Sequence, residues 1–303
     1  MADFERLLLI ATPAMNRTPA FDRAASLAKV MDATLHIVAF DYIDGIAEGK
    51  LVNELAVDQI RFGYLHAHRD WLEQQVIGMR HMGVTVTTEA LWSQDPFEDI
   101  PRYIKNFQPS LVIKDLRHEA WFTSALFASL DLRLMHECQA PLHLIARVHH
   151  GIPRKILAAV DPLHLEGQFE YLNDRIVATA KSLAERCGAQ LDIMYCYDLS
   201  RVFAIENAWD QEPMIADHLY TKAKKAFHDL AERFDIAPER RHVVIGTPAK
   251  MIESYMFSQG ADVLVLGTVQ NDLMHRLLGS TTEQVANHLY SSLLAINPRG
   301  VEA

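Results

Sequence analysis

The feature that most narrows the fold is an internal repeat. RLLLIATP beginning at Arg6 returns as KILAAVDP beginning at Lys155, an offset of 155 − 6 = 149. Later landmarks keep the same order: Asp95-Pro96 and Ile100 match Thr247-Pro248 and Ile252 at 152, Asp115 matches Gly267, and the last strands match near 151. An offset that drifts by only a few residues is what duplication with small loop changes produces. At about 150 residues per domain, 303 residues hold two copies of one domain, each large enough to bury a core. The copies are expected at 1–148 and 154–303, joined by a linker at 149–153 where HHGIP combines turn residues with the end of one repeat.

Within each copy the pattern is that of βαβ units. Short strand candidates at Leu7 to Ala11, Thr34 to Phe40, Val84 to Leu91, Leu111 to Lys114 and Leu142 to Ile145 alternate with longer helical segments. After the second strand, Leu65, His68, Leu72, Val76 and Met79 recur three or four apart and predict one face of a long helix; Leu219, Ala223, Phe227, Leu230 and Phe234 do the same in the second copy. Apolar runs such as VLVL at 263–266 and LLAI at 293–296 suit strands covered on both faces by helices, as parallel sheets require. The expected class is α/β, with two tandem, doubly wound, five-stranded parallel sheets.

Composition excludes several functions. A net charge of −10 argues against a general DNA or RNA binder, whose affinity comes from clustered Lys and Arg. No apolar run reaches the roughly 20 residues that span a bilayer, and Met1 to Phe21 lacks the apolar core of a signal peptide, so the expected compartment is the cytoplasm. Cys138, Cys187 and Cys196 are odd in number and never spaced C-x-x-C, which gives no disulfide framework and no zinc ribbon.

The opening strand AAVDP, the G-T-P-A-x-x-I turn at Gly246 to Ile252, and VLGT followed by LGSTTEQV and LLAINP, in this order and in a duplicated chain, resemble the universal stress proteins, and specifically their tandem, two-domain E-type form. The resemblance covers nearly the whole chain. It implies strand order 3-2-1-4-5, ligand sites at the carboxyl ends of strands 1 and 4, and two domains paired as a pseudo-dimer; the final strand LLAINP could serve pairing within the chain or recruit a second chain as a homodimer.

Nucleotide-binding members carry G-x-x-G, nine residues, then G-S/T, so that backbone amides and a helix start surround a triphosphate. Gly267 matches the first glycine and Gly279-Ser280 the final pair, but the middle position is Gln270 and only eight residues, Asn271 to Leu278, precede Gly279. Both departures count against ATP, and Asp272 adds negative charge that His275 and Arg276 partly offset. Asp161 matches the acidic position near the adenine. The expected ligand contacts are Asp161, Gly246, Pro248, Gly267, Thr268, Gly279, Ser280 and Thr281. A turn, a helix entry and a capping carboxylate would explain the same residues with no ligand at all. In the first copy Thr12 and Asp115 replace Asp161 and Gly267, and no glycine occurs from Val84 to His150, so this copy is not expected to bind a triphosphate.

Fifteen histidines invite a metal reading that their spacing does not support. His66 with Asp70 reads as a solvated helix face, His149-His150 as a linker feature, and His68 as a core-edge residue with a hydrogen-bond partner. His118 and Asp115 follow strand 4, where open α/β sheets bind ligands, but Lys114 and Arg117 offer ordinary charge partners. No G-x-S-x-G, G-x-x-x-x-G-K-S/T or H-E-x-x-H motif occurs, and Ser280 before Glu283 fits a capping box. The resulting expectation is a cytoplasmic, non-catalytic stress-response protein whose second domain takes ATP, a related adenine nucleotide or another phosphate-bearing small molecule. A binding module for a nonnucleotide, partly apolar ligand held between the domains is the alternative, motivated by Val202, Phe203 and Trp209 in the segment Tyr195 to Met214. A slow ATP hydrolase is the third reading.

Overall fold

Leu7, Leu8 and Leu9 are wholly buried, so consecutive side chains on opposite faces of one strand both meet apolar cover. Continuous apolar runs become central strands for this reason. The computed structural model describes residues 4–41, 54–116, 130–146, 150–162, 171–198, 212–268 and 291–298. The chain divides into two compact units, Asp3–Ile152 and Pro153–Ala303.

In the first unit β1 (Arg6–Ala11), α1 (Pro19–Met31), β2 (Thr34–Asp41), α2 (Glu54–His81), β3 (Val86–Trp92), α3 (Pro96–Phe107), β4 (Leu111–Asp115), α4 (Leu130–Glu137) and β5 (Leu142–Ile145) follow one another. The strands are parallel and lie in the order β3-β2-β1-β4-β5. The second unit runs β6 (Lys155–Ala159), α5 (Leu172–Cys187), β7 (Gln190–Tyr197), α6 (Glu212–Arg233), a 3-10 turn at Pro238–Arg240, β8 (Arg241–Ile245), α7 (Pro248–Gln259), β9 (Val263–Gly267) and β10 (Ser292–Ile296). Its strands, again parallel, lie in the order β8-β7-β6-β9-β10. Among the described residues no helix is long and apolar enough to cross a membrane.

The landmarks of the repeat are structural punctuation. Asp95 is the N-cap of α3, its side chain accepting from the Phe97 amide at 3.0 Å with Pro96 next in line; Thr247 and Pro248 open α7 at the same place. The first helices of the two units end on left-handed residues, Asp32 (φ 53°) and Gly188 (φ 62°). Of the five first-unit strands, only the third starts later than the sequence pattern suggests. Val84 instead closes the end of α2, its amide donating to the Met79 carbonyl at 3.0 Å. His68, Leu72, Val76 and Met79 are buried along one face of α2, as are Ala223, Phe227 and Leu230 along α6.

Divergence between the copies shows in buried polar groups. His36 and Asp192 hold the same third position of β2 and β7, each below a tyrosine from the helix that covers it. Tyr103 donates to Glu89 at 2.7 Å and meets His36 Nε2 at 2.8 Å, while the Tyr255 hydroxyl lies 3.1 Å from His242 Nε2. Burial holds the His36 pKa below the usual range. Burial alone would raise the Asp192 carboxyl, but bonds from Gln190, His242 and Tyr255 and the charge of Lys155 bring it below its ordinary value. On β5, His143 is fully buried where the second copy has Leu294. Neither of its ring nitrogens has a hydrogen-bond partner among the described residues, and burial, with the Arg23 charge nearby, drives its pKa well down.

Candidate functional site

A parallel sheet changes winding direction where one strand's neighbours connect to opposite sides, and ligands of open α/β sheets collect at the carboxyl ends of those strands. In the second unit this point is β6, paired with β7 on one side and β9 on the other. Asp161 follows β6, and Gly267 and Thr268 end β9, so these three residues share one crevice.

The Asp161 backbone is held on both sides by one amide. Its N–H donates to Asn173 Oδ1 at 3.1 Å, and Asn173 Nδ2 donates to its carbonyl at 2.9 Å, which ties the strand end to the second residue of α5. The half-buried Asp161 carboxylate belongs to an acidic side of the crevice: the Cys196 thiol is pushed up to about 12, first by burial and then by the charges of Asp161 and Asp198. The opposite side carries a cation. Arg175, one turn into α5 and half-buried, donates through Nη1 to the Asn297 carbonyl just past β10. Burial lowers its pKa, and among the described residues no carboxylate pairs with it. Sequence reading missed Arg175; an arginine in the first turns of the helix after the opening strand was the available signal.

Gly267 is required by packing. A Cβ there would lie 2.7 Å from Leu172 Cδ2 and 3.0 Å from Ile176 Cδ1, so glycine lets the start of α5 rest on the end of β9. Thr268 is 1% exposed and bonded to β10, its amide donating to the Ile296 carbonyl at 2.9 Å and its hydroxyl at 3.4 Å. Gly246 and Pro248 stand elsewhere, at the turn from β8 into α7. Gly246 has φ 149°, a conformation L side chains rarely adopt, and its amide donates to the Tyr197 carbonyl at 3.0 Å. Three strand spacings, roughly 14 Å, separate that turn from Gly267 in the order β8-β7-β6-β9. Gln270, Asp272, His275, Arg276, Gly279, Ser280, Thr281 and Glu283 lie outside the described residues, as do His118, His149, Val202, Phe203 and Trp209.

The first unit answers the same crevice differently. Asp115, in place of Gly267, sends its carboxylate to the start of α1, where it accepts from the Thr18 hydroxyl and from the Ala20 amide at 3.2 Å. A helix N-terminus that would attract an anion already has one from its own chain. Lys114 is not the partner of that carboxylate. It bonds the Asp115 carbonyl at 3.0 Å and pairs with buried Asp131 at 2.6 Å. His66 and Asp70 meet at 3.0 Å on an exposed helix face, and His68 Nδ1 lies 2.6 Å from Asp41 with both side chains fully buried. Among the described residues no three His, Cys, Asp or Glu converge as a metal site.

Residues 153–297 match the model of the universal stress protein family, and the whole chain aligns with curated relatives named Universal stress protein E. The second unit belongs to the universal stress protein family. The relative from Salmonella typhi is 26% identical, the alignment covering 98% of this chain and 96% of that protein; the one from Photorhabdus laumondii is 22% identical over 100% and 98%. Two solved structures share the fold across the chain. One is a functionally unknown protein from Pseudomonas aeruginosa PAO1 (20% identical, 98% of this chain and 94% of that one, TM-score 0.73). The other is a universal stress protein from Archaeoglobus fulgidus (16% identical, 100% of each, TM-score 0.69). At these identities the likeness speaks for the fold.

Proposed function

We propose that this stress-response protein acts by binding rather than by catalysis, and that its second unit takes an adenine nucleotide or a similar ligand with a hydrogen-donating ring at one end and phosphate at the other. The observation that carries this reading is the polarity of the crevice. Asp161 and Asp198 make its β6–β7 side acidic, suited to an exocyclic amine, while Arg175 stands at the β10 side, suited to phosphate. The Gly279-Ser280 pair, which matches the end of the phosphate loop in nucleotide-binding members, supports a phosphate-bearing ligand.

Titration calorimetry of the full chain with ATP tests it. Asp161→Ala and Arg175→Ala should each weaken binding by about tenfold or more, since a hydrogen bond to a charged group contributes about 1.5–3 kcal/mol. ATP should come back unhydrolysed. Affinity unchanged by both substitutions would place the nucleotide elsewhere, and absence of binding in the unmodified chain would end the reading.

A further inference from the structure

Glycine inside a helix weakens it relative to alanine, because the unfolded chain has more backbone freedom to lose, and α2 carries two, Gly63 and Gly78. Among the described residues nothing requires them. A Cβ at either position would meet no atom outside the helix backbone within 4 Å, and neither glycine has a positive φ. Gly267 differs, since its neighbours Leu172 and Ile176 leave no room for a side chain. The same helix exposes Ile60, Phe62 and Ile77, with Phe62 71% exposed. Its counterpart α6 contains no glycine and, among the described residues, none of the exposed large hydrophobic side chains. The outward surface of α2 is therefore particular to the first unit.

We propose that α2 is a docking face for a second copy of this chain, whose own α2 packs antiparallel on it about a twofold axis at Asp70. Gly63, His66, Asp70, Gln74 and Ile77 recur three or four apart, are all exposed, and lie opposite the buried Leu72, Val76 and Met79. A twofold contact brings together residues equally far from its axis. Gly63 and Ile77 each stand seven residues from Asp70, so Ile77 of one copy fills the space over Gly63 of the other. On one flank Ile60 and Gly78, ten and eight residues away, meet within about 3 Å of axial rise. Charge agrees with shape. Two Asp70 carboxylates alone would repel at the axis, but His66 lies 3.0 Å from Asp70 one turn away, so two imidazoles alternate with two carboxylates across the contact. Glu73 and Arg80, on the other flank, pair with each other at 2.6 Å. Each bulky or charged group thus finds its complement on the same face, which selects a second copy over an unrelated partner. A strip about 30 Å long and one helix wide buries less than the roughly 1,200 Å² at which stable interfaces begin, so the dimer is weak and reversible.

Sedimentation velocity of the full chain over roughly 5 to 500 µM reads the association, and the unmodified protein should pass from monomer to dimer. Gly63→Ile improves helix propensity and meets nothing in its own chain, so the fold should survive it while dimerisation weakens about tenfold or more. Ile77→Gly should weaken it as well, by leaving a gap where the side chain stood. Mixed in equal amounts, these two variants should pair with one another, because every isoleucine then faces a glycine. Phe257→Ser, at an exposed apolar side chain on α7, should change nothing. A monomer throughout the range, a dimer indifferent to Gly63→Ile, or a mixture in which the two variants fail to pair would each overturn the proposal. Loss of the dimer in Phe257→Ser would overturn it too, by moving the contact to α7.

Discussion

Replacing Gly267 by Asp, the residue the first repeat uses at this position, should destabilise the second unit by about 3 kcal/mol and abolish any ligand binding in its crevice. The first unit accommodates Asp115 because the Thr18 hydroxyl and the Ala20 amide receive its carboxylate at the start of α1. α5 offers no such reception. Counted back from their left-handed end residues, α1 has 13 residues and α5 has 16, so amides that are free at the start of α1 lie inside the hydrogen-bonded helix in α5. The new side chain would meet Leu172 and Ile176 instead, within 2.7–3.0 Å of its Cβ. Hydrogen exchange along β9 and α5 in urea measures the loss, and Gly267→Ala separates crowding from charge at about 1 kcal/mol. A Gly267→Asp variant as stable as the unmodified chain would mean that α5 can open a capping position as α1 does.

The second large effect is an acid sensitivity located at one strand residue. His143 has a pKa held well below its ordinary 6.5, first by burial and then by Arg23. The sign follows from which state takes the proton. Above pH 6.5 both folded and unfolded chains keep the ring neutral, and the group contributes no pH dependence. Below it the unfolded chain binds a proton that the folded chain refuses, so stability falls by up to about 1.4 kcal/mol for each pH unit until the folded pKa is reached. His143→Leu installs the residue found at the matching position, Leu294, which is itself fully buried. Urea unfolding at pH 7.5, 6 and 5 should show the variant at least as stable as the original at neutral pH and increasingly more stable below. Parallel pH curves for the two proteins would show that another group, such as His36, carries the acid loss.

Strands and helices were legible because their signals are local. RLLLIA and SLLAI are apolar without interruption, and a buried parallel strand needs nothing else to be recognised. The capping residues Asp95-Pro96 and Thr247-Pro248 announce α3 and α7 from the chain itself. The site was legible only by position. Asp161 and Gly267 stand at the carboxyl ends of paired strands, as their places in the repeat imply, but the crowding of Gly267 by Leu172 and Ile176 comes from the fold alone. Thr268 was matched by motif, and its hydroxyl faces the Ile296 carbonyl.

The sequence by itself determined the duplication, the α/β class and the loss of phosphate-loop glycines from the first copy, since repeats, apolar periodicity and residue identity are properties of neighbouring residues. Tertiary structure decided the partners. Asp115 reaches across 97 residues to Thr18, Arg175 across 122 to Asn297, and His68 across 27 to Asp41. A charged or polar side chain is satisfied by whatever the folded sheet brings within about 3 Å, and that neighbour is set by strand order and register rather than by distance along the chain.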